Sequence, residues 1–542
     1  MKRPKPLEVT REQLQALRDR ARRGELNVSA EDAQLIGSLA ETVVVLSEAV
    51  EKKGSSIRRL LKLLFGSKTE SKDQLFGKQR DDDDDAPGCA PPGDTGGEAP
   101  KPKPKGHGRN GAAAYTGAER VPVKHPDLSV GDRCPDCHRG KLRELDPSPL
   151  VHVHAQTPIT ATIYECQRLR CNTCGKVFTA PGPAGVALRK YDRSVGILIA
   201  LLKYGSGMPF ARLENLQRMA GIPLPASVQW EQVEETALPF GPVLDALEIE
   251  AAQGQVVHND DTGMKVLELM KQRDQSDAAE TGNPQRRGIF TTGIISQVGT
   301  HRIALFRTGH QHAGENLGQV LGRRGASAGK PILMCDALSR NLPKDLEVVL
   351  ANCLSHARRE FVDLVEDFPE SCRYVIEQLA EVYKNDAFAK EQNMTPPERL
   401  AYHQEHSEPI MNDLEDWCHA QLEKRIVEPN SNLGKAIKYM IRHWDALTRF
   451  LEQPGAPLDN NICERALKKA ILHRKNSMFY KTSNGARVGD LFMSLIHTCL
   501  LNGVNALDYL QTLSEHASRL NSKPEQWLPW NYRDTVAALT SP

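Results

Sequence analysis

The chain has 542 residues, 39% of them hydrophobic, with 70 basic and 69 acidic side chains and a net charge of +1. At roughly 100–200 residues per domain this length excludes a single compact fold. No apolar run approaches the ~18 residues of a membrane span, and residues 1–6 lack the apolar core of a secretory signal, so a cytosolic protein is predicted. Bulk charge does not announce a polyanionic partner, although five of the acids form one run, 81–85, that masks modest basic character elsewhere.

In chain order, residues 1–77 read as a helical region. Ile36, Leu39, Val43, Leu46, Val50, Lys53, Ile57, Leu60 and Leu64 recur at alternating spacings of three and four, the heptad of a coiled coil. Lys53 breaks the apolar seam beside Gly54. The predicted role is oligomerisation; an amphipathic helix docked on its own chain is the plainer account. Residues 78–120 are rich in Asp, Gly and Pro and read as a disordered linker, with the Asp run a solvated spacer and Cys89 incidental.

Residues 121–181 alternate as short strands, for example 159–164, around paired cysteines. Cys134-Pro135-Asp136-Cys137 and Cys171-Asn172-Thr173-Cys174 are separated by 33 residues. Each pair can place two thiolates at tetrahedral distance from a tight turn, so one structural Zn²⁺ held by Cys134, Cys137, Cys171 and Cys174 is expected. Twelve cysteines, four of them in these two pairs, fit a reduced compartment better than a disulfide framework. Cys166, His152 and His154 are possible substitute ligands, but as lone residues on strands they read as ordinary.

Residues 182–252 have helical periodicity, through Ile197, Leu201, Leu202, Leu213 and Leu216, with a turn at Gly221. The spacing suits a DNA-binding helix-turn-helix, although most such pairs are packing units. Strands are predicted at 256–266, 288–297 and 302–307, a helix at 315–321, strands at 331–335 and 347–352, then a helix bearing Phe361, Leu364, Val365 and Phe368. That order predicts an α/β sheet. Residues 370–457 read as a helical insertion, with Ile437, Ile441, Trp444, Leu447 and Leu451 on one stripe. The sheet domain therefore spans 253–369 and 458–500, and 501–542 form a helical tail.

Three acids fall where such a sheet presents side chains at one edge. Asp260 lies in the first strand, Asp336 follows the strand ending at Cys335, and Glu464 sits in a helix predicted over 460–472. Converging carboxylates repel unless divalent cations neutralise them, and two ions about 3.5–4 Å apart can serve phosphodiester cleavage or strand transfer. On the residues alone, helix caps and solvated strand ends are the plainer account, because 69 acids offer many such triples. Alternation puts Val256, His258 and Asp260 on one strand face and Val257, Asn259 and Asp261 on the other, which favours Asp260 over its neighbour Asp261 as the site acid.

Three blocks carry a family resemblance: His258-Asn259-Asp260-Asp261-Thr262-Gly263; Cys353-Leu354-Ser355-His356-Ala357-Arg358-Arg359; and Asp459-Asn460-Asn461-Ile462-Cys463-Glu464-Arg465-Ala466, followed by His473-Arg474-Lys475-Asn476. In content and order they resemble the signature blocks of the IS-sixty-six family of insertion-sequence transposases. The zipper with its Leu-Phe-Gly stretch at 64–66 and the paired cysteines resemble that family too. The resemblance covers nearly the whole chain beyond about residue 33. It implies a multidomain α/β plus α protein: an N-terminal coiled coil, a zinc ribbon, and a ribonuclease H-like DDE catalytic domain with a large helical insertion.

It further implies a bacterial DDE-type DNA transposase, cytoplasmic and associated with the nucleoid. Asp260, Asp336 and Glu464 would be the catalytic ligands of two Mg²⁺ (or Mn²⁺) ions. Expected partners are DNA (terminal inverted repeats and target), a homo-oligomer, and companion proteins encoded by the same element. Two departures from the family stand out. Asp261 replaces the usual Glu, and Ala337-Leu338-Ser339-Arg340-Asn341 follows Asp336 where the family has a Gly-Tyr-type sequence. Arg465, Lys468, Lys469, Arg474 and Lys475 read as phosphate contacts or as a solvated helix face. Arg358 and Arg359 are assigned to DNA or carboxylate contact, His356 to orientation with Asp261 as a second supporting residue, and His310 and His312 to structure. The alternative readings are a catalytically silent zinc-containing DNA-binding descendant and a metal-dependent nuclease of the same fold.

Overall fold

The computed structural model describes residues 126–133, 135, 141–143, 158–170, 177–181, 183–184, 189–277, 288–344 and 346–540. The heptad seam, the linker with Cys89, the four knuckle cysteines Cys134, Cys137, Cys171 and Cys174, and His152 and His154 all lie outside the described residues. The rest falls into two compact units: residues up to 184 with 215–224, and 189–214 with 225–540.

In the smaller unit β1 (Arg168–Arg170) pairs antiparallel with β2 (Val177–Thr179), and an isolated antiparallel bridge joins Arg133 to Lys141. The strand expected at 159–164 is not formed. Ile159 is buried and its carbonyl accepts from the Gln217 side chain at 2.8 Å, but Ile163 is 87% exposed, and no strand partner among the described residues matches the alternation.

Helices follow: α1 (Arg193–Ala200), α2 (Phe210–Met219), whose residues from Asn215 on belong to the smaller unit, α3 (Ala226–Ala237) and α4 (Gly241–Ala251). Asp192 caps α1 by accepting from Ser194 N, and α1 runs on into a wide π turn at Leu201–Gly205. Gly221, at φ +75°, makes the turn after α2. There follow β3 (Val256–Gly263), α5 (Leu267–Asp277), β4 (Phe290–Val298), β5 (His301–Gly309), α6 (Ala313–Leu321), β6 (Ile332–Cys335), β7 (Val349–Asn352) and α7 (Leu354–Val362). Next come α8 (Pro369–Glu391), α9 (Pro396–His406), α10 (Glu408–Glu423), α11 (Asn432–Arg442) and the short α12 (Trp444–Leu447). The chain closes with α13 (Asn461–Ser477), α14 (Ser483–Leu501), α15 (Ala506–Glu515) and α16 (Tyr532–Thr540).

The five strands form one mixed sheet in the order β5-β4-β3-β6-β7. β3, β4 and β5 are an antiparallel meander, whereas β6 and β7 run parallel to β3. Predicted and observed strands agree within a few residues, except that β3 stops at Gly263, so Val266 only bridges to Tyr480. The stripe predicted from Ile437 to Leu451 keeps its burial but not one helix, because α11 ends at Arg442 and the chain re-enters a helical turn at Trp444.

Strand alternation distributes the layers. On the face of Val257, Asn259 and Asp261, Ser296 Oγ of β4 donates to Ala251 O of α4 and Asn316 of α6 donates to Thr292 Oγ. On the other face, Val256, Ile332, Met334 and Ala351 enter a continuous apolar core with Leu354, Ala357 and Phe361 of α7 and with residues of α8, α10, α11 and α12. No helix among the described residues is long and apolar enough to cross a membrane.

The outer edge of β5 is occupied by a helix. Asp490, Ser494, Thr498 and Asn502 recur every fourth residue along α14 and its cap, and accept from Thr308 N (2.7 Å), Phe306 N (2.9 Å), Ala304 N (3.0 Å) and Arg302 N (3.0 Å). One helical turn rises about 5.4 Å and two strand residues about 6.7 Å, close enough for four successive bonds. The helix thus satisfies an edge that would otherwise pair with another chain. Thr498→Val orphans the buried Ala304 N–H and is expected to cost about 1–3 kcal/mol in thermal unfolding; a change under about 0.3 kcal/mol would contradict this account.

Candidate active site

β3 and β6 are parallel with Val256 opposite Ile332 and His258 opposite Met334. Carrying that register two residues onward sets Asp260, within β3, beside Asp336, just past the carboxyl end of β6, where strand spacing is about 4.8 Å. The third acid comes from above. Asp260 pairs across the ladder with Gly293 of β4, and α13 crosses there: Cys463 Sγ donates to Gly293 O at 3.3 Å, and a Cβ on Gly293 would sit 3.0 Å from Leu467. The bare glycine lets the first turn of α13 lie close to the sheet, which brings Glu464 over the strand ends. Gly293→Val should push α13 outward, costing about 1–3 kcal/mol by overpacking. Its melting temperature against the native chain tests this, and an unchanged value would sink it.

The electrostatics report the same convergence. Burial pushes the Asp260 carboxyl up to about 7; the Asp261 N–H, 2.7 Å from Asp260 Oδ1, opposes this, and the charges of Asp336, Asp261 and Glu464 raise it further. Glu464 Oε1 is buried without a hydrogen bond, 3.6 Å from His356 Nε2.

Asp261 points the other way. Its carboxylate accepts from Thr292 Oγ (2.6 Å) and from Ala313 N (3.0 Å), with His312 Nδ1 at 3.2 Å, so it closes the N-terminus of α6. Alternation along β3 puts Asp260 on the opposite face from Asp261, which is spent on a helix end. His310 meets Gly288 O at 3.0 Å.

The cationic residues divide. Arg465, Lys468 and Lys475 are exposed on α13. Lys469 donates to Gly205 O at 3.3 Å, and Arg474 to Gly263 O and Thr262 Oγ, which ties α13 to the end of β3. Arg358 and Arg359 are half-buried on α7, Arg358 near enough to Tyr383 for its charge to act on that phenol.

Several supporting residues lack a chemical signature in sequence. Asn460 is fully buried at the start of α13: its side chain donates to Asn259 O (3.0 Å) and meets His258 Nδ1 (3.0 Å), and its N–H meets Cys353 Sγ (3.2 Å). It thereby joins β3, α7 and α13, each of which holds a candidate residue. Asn259 donates to Asn341 O at 2.8 Å, and the Asn341 amide donates to Asp336, fixing the turn after β6. Tyr439 is near enough to Asp336 for its phenol, raised to about 12 chiefly by burial, to feel that carboxylate. Asn460 and Cys353 stand inside motif blocks, but nothing in their residue type gives their partners. Asn460→Ala leaves Asn259 O and His258 without these bonds and is expected to cost about 2–4 kcal/mol, read by thermal unfolding. A loss below about 0.5 kcal/mol would remove it from this role.

Residues 191–488 match the Transposase IS66 family. Among curated proteins, the chain is 25% identical to the uncharacterized protein y4hP of Sinorhizobium fredii over 449 residues, covering 78% of this chain and 76% of that one. It is 36% identical to y4jD of the same organism over 191 residues (34% and 36% of the two chains), and 26% identical to y4qI over 349 residues (62% and 61%), both also uncharacterized.

Proposed function

The chain belongs to the IS66 family of transposases, a family that implies a DNA-processing enzyme, and on that premise we propose that it cuts DNA at the ends of an insertion sequence and joins the freed ends to target DNA. The observation that supports the proposal is the Asp260 carboxyl, raised to about 7 first by burial and further by the charges of Asp336, Asp261 and Glu464. The sheet order, with three antiparallel strands and two further strands parallel to the first, supports reading this unit as a ribonuclease H-like catalytic domain. The helices from 370 to 457 would then be the insertion before its last part.

Three hard carboxylates, one of them largely buried and with an unbonded buried oxygen on Glu464, fit divalent cations of the Mg²⁺ or Mn²⁺ type. Such cations, when bound, supply charge neutralisation for a phosphodiester and acidification of the attacking hydroxyl. The chain's own part is to hold the acids before DNA arrives. The β3–β6 register positions Asp260 and Asp336, Asn341 orients Asp336, and Gly293 and Asn460 seat α13 so that Glu464 faces them. Arg465, Lys468 and Lys475, exposed on the same helix, would steady the DNA backbone by phosphate contact.

The two C-x-x-C pairs fall in the segments that connect antiparallel-paired residues, Arg133 with Lys141 and β1 with β2. This supports a zinc ribbon for the 121–181 region. The heptad seam supports assembly of protomers.

The test is a joining reaction with the full chain, DNA carrying the ends of the element that encodes it, its companion proteins and a supercoiled target, with Mg²⁺ or Mn²⁺. Cleaved and joined products are expected, and chelation should abolish both. Cleavage without joining would instead indicate a nuclease, and end binding without cleavage a silent DNA-binding descendant.

A further inference from the structure

One cluster at the catalytic edge is chemically unlike the triad. Cys353, His356 and Glu464 each bring a potential ligand atom, and the three atoms lie within 4.8 Å of one another. Cys353 caps the N-terminus of α7, His356 follows three residues later, and Glu464 comes from the first turn of α13. Burial pushes the Cys353 thiol up to about 12, opposed by backbone N–H groups of Asn460 and His356, so an ion bound there has to displace the thiol proton. Asn460 N–H, 3.2 Å from Cys353 Sγ, adds a donor to a developing thiolate.

Two polar atoms in the cluster are unused. Glu464 Oε1 and His356 Nδ1 are buried with no hydrogen-bond partner, and the 3.6 Å between His356 Nε2 and Glu464 Oε1 is too long for a hydrogen bond. Zinc bonds of about 2.0–2.3 Å set tetrahedral donors roughly 3.3–3.8 Å apart, so His356 and Glu464 already have that spacing and the widest pair needs to close by at most about 1 Å. Cys353 is fully buried while His356 and Glu464 are about a quarter exposed, so an ion can enter from their side and keep a fourth position open.

We propose that Cys353, His356 and Glu464 form a second, inhibitory metal site selective for Zn²⁺ over Mg²⁺, and that an ion there withdraws Glu464 from catalysis. The thiolate and imidazole give the selectivity, since Mg²⁺ takes oxygen ligands and near-octahedral geometry whereas Zn²⁺ takes sulfur and nitrogen in a tetrahedron. The inhibitory consequence rests on the catalytic reading of Glu464; the binding does not. The site would let free zinc hold the enzyme inactive without disturbing its fold.

The experiment measures zinc bound at equilibrium dialysis by the full native chain, Cys353→Ser and His356→Gln, each with its melting temperature recorded. Cys353→Ser keeps an acceptor for the Asn460 N–H but removes the soft ligand. The native chain is expected to hold one equivalent more than either variant, whatever the Cys134–Cys174 region binds. Equal stoichiometry in all three proteins overturns the site. Joining is then compared with and without stoichiometric zinc within each protein, so that a variant's own defect cancels. Native joining should fall at least tenfold and the variants' less than twofold; equal inhibition of all three overturns the regulatory role. A chain that binds the extra zinc but joins no DNA under Mg²⁺ alone contradicts the catalytic reading and the inhibition built on it, and leaves the binding site standing.

Discussion

Asp260→Asn, Asp336→Asn and Glu464→Gln are each expected to lower strand joining by about 10²–10³-fold while leaving binding of end DNA within a few-fold. The amides keep the shape and an acceptor oxygen, so the Asp261 N–H to Asp260 and the Asn341 amide to Asp336 still find partners. What is lost is the negative charge that would hold divalent cations against the phosphodiester, and loss of one preorganised electrostatic element in a low-dielectric site costs about 10²–10³.

The same substitution should move stability the other way. Asp260 carries a carboxyl raised to about 7 from an ordinary 3.8, so in the cation-free protein its ionised form opposes folding at pH 8. Asp260→Asn should therefore melt higher than the native chain at pH 8 in chelator and equal to it near pH 4. Asp261→Asn is the control: it weakens charge-assisted bonds from Thr292 and Ala313 and should melt lower. If Asp261→Asn abolishes joining with stability intact while Asp260→Asn stays active, the two neighbours have been assigned in the wrong order.

Asp490→Asn is expected to raise stability by about 2–4 kcal/mol at pH 8 and by close to nothing at pH 4. Asp490 lies buried between α14 and the edge of β5, and burial lifts its carboxyl to about 7, opposed by the hydrogen bonds from Thr308 and the charge of Arg307. The folded value exceeds the unfolded one, so between about pH 4 and 7 the folded chain binds more protons. Its stability falls as pH rises through that window and levels off above it. An amide keeps both links, accepting from Thr308 N and donating to Thr308 Oγ, without the buried charge. Unfolding of both proteins across pH 4–8 measures the gap. A gap independent of pH, or one that widens toward acid, would mean that Asp490 is ionised at low pH and stabilises the edge as an anion.

Periodicity sufficed for the strands and most helices of the larger unit, because a buried β-strand such as Ile332–Cys335 and an apolar stripe such as that of α11 are written in side-chain polarity. Alternation in β3 also separated Asp260 from Asp261, since the side-chain period of a strand is two whatever it packs against. It failed at 159–164, where alternating apolar residues find no partner strand among the described residues. Polarity does not encode pairing.

The candidate site divides the same way. Residue type and order in the blocks around Asp260, Cys353 and Glu464 were enough to nominate the acids and the family. What positions them was not readable, because the parallel β3–β6 register, the missing side chain at Gly293 and the bonds of Asn460 leave no local pattern. Nor could the string tell which cations are free: Lys469 and Arg474 look like Arg465 and Lys468 in sequence, yet backbone carbonyls far along the chain engage the first two. Composition and periodicity are sums over neighbours in sequence and determine elements and faces; hydrogen bonds, electric fields and close approach act between neighbours in space, and the tertiary structure alone decided those.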